Sequence, residues 1–183
     1  MNSIVKGVLV FVGILLSVPA GAEPVDPIDP KSRCPVCGMM PAKYPLWIAQ
    51  IHAVDGEPVF FDGVKDMMAY YFEPEVYGGP PSLDDADIYV RDYYRQEYID
   101  GRSGFYVVGS DVMGPMGYEL IPFAERGAAE QFLADHNGDT ILSFTEITLE
   151  RINEMRQAHM LKMKKNKGNM KHDHSAGAMN SQQ

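Results

Sequence analysis

The stretch LWIAQIHAVDGEPVFFDGVKDMMAYYFE, residues 46–73, carries the pattern on which the fold turns. An apolar-rich run, LWIAQIHAV (46–54), meets Asp55-Gly56, a strong hairpin signal, and a second short run, EPVFFD (57–62), follows. Two strands joined in this way read as an antiparallel hairpin. The period then changes. In GVKDMMAYYFE (63–73) apolar residues fall at Val64, Met67, Met68 and Tyr71, the spacing of one helix face, and Pro74 ends the run. Aromatic and β-branched residues in DIYVRDYYRQEYID (87–100) predict one further strand or extended ribbon.

The same order returns downstream. GFYVVGSDV (104–112) reads as a strand, MGPMG (113–117) as a turn and YELIPF (118–123) as the return strand. AERGAAEQFLADH (124–136) is a helix with Ala128, Ala129, Phe132 and Leu133 on one face, stopped at Asn137-Gly138. DTILSF (139–144) is a last strand. The expected class is α+β, with two ββαβ units packed together, residues 34–100 and 101–148. A C-terminal helix over 149–167 and a disordered His/Met-containing tail over 168–183 should follow.

Residues 1–22 read as an export signal: Lys6, then the apolar run GVLVFVGILLSV (7–18), then Ala20-Gly21-Ala22 as a cleavage site. The run is short for a membrane span, although a retained N-terminal anchor is an alternative. Residues 23–33, EPVDPIDPKSR, hold three prolines and are expected to form an extended, poorly ordered leader. The net charge of −9 argues against nucleic acid as a partner, because phosphate contact needs clustered positive charge. No GxSxG, P-loop or HExxH pattern points to a hydrolase, nucleotide-binding enzyme or zinc protease.

The chemistry concentrates in RCPVCGMMPAKYP (33–45), which holds both cysteines of the chain, Cys34 and Cys37. A CxxC pair can be a disulfide, a redox centre or half a zinc site. A bridge across two residues closes too small a loop to add much stability. A thioredoxin-like pair opens a helix directly after a strand, whereas this one follows a proline-rich leader. A closed zinc site needs four nitrogen or sulfur ligands, and no second CxxC or HxxxH is present. Met39 and Met40 add thioethers, and thiolate with thioether selects Cu(I) over harder ions. A second methionine-bearing turn, Met113-Gly114-Pro115-Met116-Gly117, would face the CxxC loop if the two units pack together; Met116 is the stronger candidate.

CPVCGM, FFDG after a strand, MGYELIPF, and an Ala-rich helix ending in His136-Asn137-Gly138 before ILSFTEIT together resemble the NosL family. That resemblance, over about residues 33–148, implies a periplasmic Cu(I) carrier for the maturation of nitrous oxide reductase. It also implies work with an ABC-type membrane transporter complex, and two ββαβ units similar to a domain of organomercurial lyase. By position it makes Cys37, Met39 and Met116 ligand candidates, with Cys34 the least secure. Family members are commonly lipoproteins with a cysteine directly after the apolar run; here the first cysteine is Cys34, so membrane contact is expected only through partners or an uncleaved signal. Against this stand a periplasmic thiol-disulfide oxidoreductase using the CxxC pair and a non-catalytic adaptor of a membrane assembly complex.

The C-terminal segment is unusually rich in donors. Five of twelve methionines and three of five histidines lie within residues 155–183. Met155, His159 and Met163 are spaced to share one helix face, as a packing stripe or as ligands, and His172-Asp173-His174 suggests a weak metal site.

Overall fold

The computed structural model describes residues 22–158. The hairpin forms as β1 (Ala49–His52) and β2 (Val59–Phe61), antiparallel with Ala49 opposite Phe61. α1 (Val64–Phe72) follows, and β3 (Asp87–Arg91) returns on the other side of β1. β4 (Tyr98–Asp100) then adds to the outer edge of β3, giving the order β2-β1-β3-β4. In the second half, β5 (Phe105–Val108) leads into a small ribbon, β6 (Met113–Gly114) and β7 (Gly117–Tyr118). β8 (Ile121–Phe123), α2 (Arg126–Asp135) and β9 (Thr140–Ser143) complete a sheet of order β8-β5-β9. In both units the first strand is central, between its hairpin partner and the strand that follows the helix. The repeat visible in the sequence is therefore one of topology, on an α+β fold.

The stretch expected as one ribbon over 87–100 is two strands. Asp92 breaks it: its buried carboxylate accepts the N–H groups of Tyr94 and Arg95 through Oδ1, folding residues 92–97 into a turn. Oδ2 of the same side chain accepts the Ala124 N–H at 2.7 Å, tying this turn to the second unit just after β8. Between β9 and the C-terminal helix lies a short 3-10 turn (Phe144–Glu146), closed by a Ser143/Glu146 capping box. The C-terminal helix, α3, is described over 149–158.

The leader is also better held than its prolines suggest. Gln50 accepts the Val25 N–H and donates to the Val25 carbonyl, as a neighbouring strand would. Asp26 pairs with Arg91 at 2.7 Å, and Ile28 is buried. This strap covers the polar face of β1, which is why Gln50 and His52 are buried beside Ala49 and Ile51. The segment expected as an export signal, apart from Ala22, and the residues beyond Ala158 lie outside the described residues.

One shared core joins the two sheets and α3, with Phe61, Met67 and Ile88 from the first unit, Tyr106 and Leu120 from the second, and Ile152 from α3. The sequence pattern gave α1 one apolar face, but Val64 through Tyr70 are all buried, Lys65 and Asp66 included. Lys65 explains how. Its Nζ donates to the carbonyls of Met116 and Tyr118, each at 2.7 Å, and lies 3.6 Å from Glu119 Oε1. Glu119 Oε2 accepts the Lys65 and Leu120 N–H groups. Gly63 and Gly114 leave room for this carboxylate: a Cβ on Gly63 would stand 2.5 Å from Glu119 Oε1, and one on Gly114 2.3 Å from Glu119 Cγ.

Gly63→Ala should therefore destabilise the protein by about 1–3 kcal/mol, through displacement of Glu119, as read by the urea midpoint. Burial pushes the Glu119 carboxyl up to about 7, with the Lys65 charge opposing it. The folded protein thus keeps a proton that the unfolded chain releases above the ordinary carboxylate range, and this group's contribution falls as pH rises toward 7. Between pH 5 and 7.5 the wild-type protein should lose about 2 kcal/mol that Glu119→Gln does not lose, measured by urea unfolding at both pH values. Parallel pH profiles for the two proteins would contradict this assignment.

Candidate metal centre

Residues 34–39 form a closed turn. The Gly38 N–H donates to the Cys34 carbonyl, and the Cys34 N–H donates to the Met39 carbonyl, both at 2.9 Å. Gly38 adopts φ +77°, where a side chain would strain the backbone. Arg33 Nη1 fastens the loop from outside through the Gly38 carbonyl at 3.0 Å. The CxxC pair thus sits on a turn and not at a helix N-terminus.

Both cysteines are free thiols turned toward the junction of β2 and α1. Asp62 follows β2, and Asp66 lies in the first turn of α1. Cys37 Sγ donates to Asp62 Oδ1 at 3.0 Å, and Cys34 Sγ lies 3.8 Å from Asp66 Oδ2. One donor atom from each of Cys34, Cys37, Asp62 and Asp66 lies within 4.8 Å of the others. Cys34, Asp62 and Asp66 are buried, and Cys37 is half-buried, so the cluster reaches solvent through Cys37.

The electrostatics favour a proton on Cys37 and on Asp66. The hydrogen bond with Cys34 pushes the Cys37 thiol far up, with burial and Asp62 adding to it and the Met39 N–H opposing. Burial raises the Asp66 carboxyl. Asp62 Oδ2 is buried without a hydrogen-bond partner, an arrangement that a positive guest would relieve.

Cys37 opens onto a pocket of about 360 Å³ shared with Val36, Lys65, Asp66, Met116 and Arg156 of α3. Met116 arrives there because Gly114 pairs with Gly117, which makes Pro115-Met116 the tip of the β6–β7 ribbon. Lys65 holds that tip by the Met116 carbonyl. Cys37 and Met116 therefore line one pocket, and buried Cys34 does not. Met39 is partly buried, with its backbone N–H toward the Cys37 sulfur, and does not line the pocket. Met113 begins the ribbon and is 39% exposed.

Asp62, Lys65, Asp66 and Arg156 were not read as site residues from the sequence. The available signal was two acids four residues apart, bracketing the start of a helix directly after a strand. His136 caps α2, stacks on Phe132 and sits 3.0 Å from Asp111 Oδ1, outside the thiol cluster. Met155 is buried in the core, so packing accounts for it; His159 and Met163 lie outside the described residues.

Residues 24–152 match the family model NosL. The copper-binding lipoprotein NosL of Stutzerimonas stutzeri is 34% identical over 139 residues, 68% of this chain and 66%, just under two thirds, of that protein. The crystal structure of the copper chaperone NosL from Shewanella denitrificans shares the fold: its TM-score is 0.60 at 24% identity, over 72% of this chain and 99% of that one. With the thiol cluster, the paired ββαβ units and a family match over most of its length, this chain belongs to the NosL family.

Proposed function

We propose that this protein is a periplasmic Cu(I) metallochaperone, exported by residues 1–22, that delivers copper for the maturation of nitrous oxide reductase or a related cuproprotein. One observation carries the reading: Cys37 from the first unit and Met116 from the second share one pocket. A thiolate and a thioether in one place form a soft donor pair suited to Cu(I). The name of the Stutzerimonas stutzeri relative, a copper-binding lipoprotein, supports the same metal.

In this reading Cys37 and Met116 hold the ion, Cys34 is the nearest additional sulfur, and Met39 closes the loop beside them. Asp62 and Asp66 are hard donors; they serve as hydrogen-bond acceptors for the thiols. Uptake replaces a thiol proton with the metal, so affinity rises with pH. A few ligands at a pocket open on one side suit an ion that must leave again. Delivery would pass to the acceptor directly or through an ABC-type transporter complex. The oxidoreductase alternative fits less well, since a redox pair needs a thiolate of lowered pKa and Cys37 is shifted the other way.

Anaerobic Cu(I) titration of the reduced protein against a competing chelator tests this. Cys37→Ser should abolish tight binding, and Met116→Ala should weaken it about tenfold or more. X-ray absorption should show sulfur neighbours; a shell of nitrogen and oxygen alone would defeat the proposed site.

A further inference from the structure

α3 forms one side of the pocket that Cys37 and Met116 share. Asn153, Arg156 and Gln157 line it, while Ile152 and Met155 anchor the same helix in the core. A volume of about 360 Å³ is far more than one copper ion fills, and it lies in the range of roughly 300–1,000 Å³ typical of small-molecule sites. The lining divides by chemistry. Cys37 and Met116 bring sulfur, whereas α3 brings a guanidinium and two carboxamides. Lys65 lines the pocket too, but its charge is committed to Glu119 and to the Met116 and Tyr118 carbonyls. Arg156 is not committed in this way. Among the described residues it forms no ion pair. Its Nη1 donates to the Tyr77 hydroxyl at 3.1 Å, and Tyr77 stacks on buried Tyr70 of α1 with ring centroids 6.3 Å apart. A neutral group thus holds the guanidinium at one nitrogen, and its charge has no anion of its own. A half-buried cation in that state favours an incoming anion.

We propose that the pocket takes a small thiol bearing a carboxylate, whose thiolate is a further ligand to Cu(I) and whose carboxylate pairs with Arg156. This rests on the copper reading above. The planar fork of an arginine matches a carboxylate, and the Asn153 and Gln157 amides add N–H donors on the same side. A neutral thiol satisfies only the sulfur half of the pocket. Loading is then ligand exchange. Copper enters as a complex with two such thiolates. The Cys37 sulfur displaces one of them, the Cys37 proton leaves on the displaced thiol, and the second thiolate stays on copper with its carboxylate at Arg156. Copper stays Cu(I) and no electrons move. The retained thiolate holds the position that an acceptor's donor takes afterwards.

The test uses the reduced full chain, loaded anaerobically with one equivalent of Cu(I). It is titrated in a calorimeter with mercaptoacetate and, separately, with 2-mercaptoethanol, a neutral thiol of similar size. Copper and thiol are then assayed in the protein fraction. The loaded chain should bind mercaptoacetate about tenfold more tightly than 2-mercaptoethanol, and copper and thiol should remain together on the protein. In Arg156→Gln the ratio between the two thiols should fall to about one, and Arg156→Lys should keep part of the preference. A ratio read within one chain does not depend on how much of that chain is folded or loaded. Equal affinities in the wild-type chain, or a preference unchanged in Arg156→Gln, would overturn the proposal and leave the copper site standing. So would mercaptoacetate that strips the copper without staying on the protein, or that binds the copper-free chain equally well. A chain that takes up no Cu(I) through sulfur would overturn the copper reading and this site with it.

Discussion

The buried Lys65–Glu119 pair is the constraint on which the rest of the structure depends. α1 belongs to the first ββαβ unit, and the turn at residues 116–119 belongs to the second. Lys65 reaches across and occupies two carbonyls of that turn, while Glu119 reaches back to the first turn of α1. Neither group has access to water, so each needs the other once Glu119 is ionised; removing one partner of such a pair typically costs about 3–5 kcal/mol. The pair adds little over an apolar contact in net stability. It does fix register, because carbonyls and a carboxylate accept from only a few directions. A slip of the second unit along α1 would leave Lys65 without acceptors.

That register sets the position of Met116. Its carbonyl is one of the two held by Lys65, and the residue lines the same pocket as Cys37. The thiols are placed separately, by the Gly38 turn and by Asp62 and Asp66. These carboxylates lie close to each other in a buried setting, and burial raises the Asp66 carboxyl. Protonated thiols beside them ease the strain when no cation is bound, and a cation eases it further. Such a cluster is costly as a purely structural device, and a bound positive ion, as in the proposed function, would offset that cost.

The sequence made the topology legible where local chemistry was decisive. Asp55-Gly56 marked the first hairpin, Asn137-Gly138 the end of α2, and the change from period two to period 3.6 marked both helices. It was less informative where tertiary contacts overrode local pattern. Lys65 and Asp66 look like the solvent side of an amphipathic helix, and only the second unit packed against α1 makes them interior residues. The leader looks unstructured because its prolines lack donors, yet its partner is the Gln50 amide, which local pattern does not pair with it. Asp92 sits within a run of strand-forming residues, and its turn forms because three N–H groups converge on one carboxylate. For the site, the soft donors were visible as residue types. The acids around them were not, because an Asp at a strand end is far more often a solvated cap.

A pocket divided between two units has a functional consequence. A closed cage built within one loop would grip its ion and release it only by local unfolding. Here the thiol side is rigid, with Cys34 and both acids buried, while the thioether side is the tip of a two-residue ribbon. The ribbon's position depends on one lysine and on the small residues Gly63 and Gly114. Movement of the tip changes the sulfur–sulfur separation without disturbing either sheet. In the proposed reading, the thioether and the docking of the two units are coupled through Lys65: loosening its grip on the Met116 carbonyl would loosen the thioether first and leave the ion on Cys37. An acceptor's own donor would then replace the thioether before the thiolate had to let go.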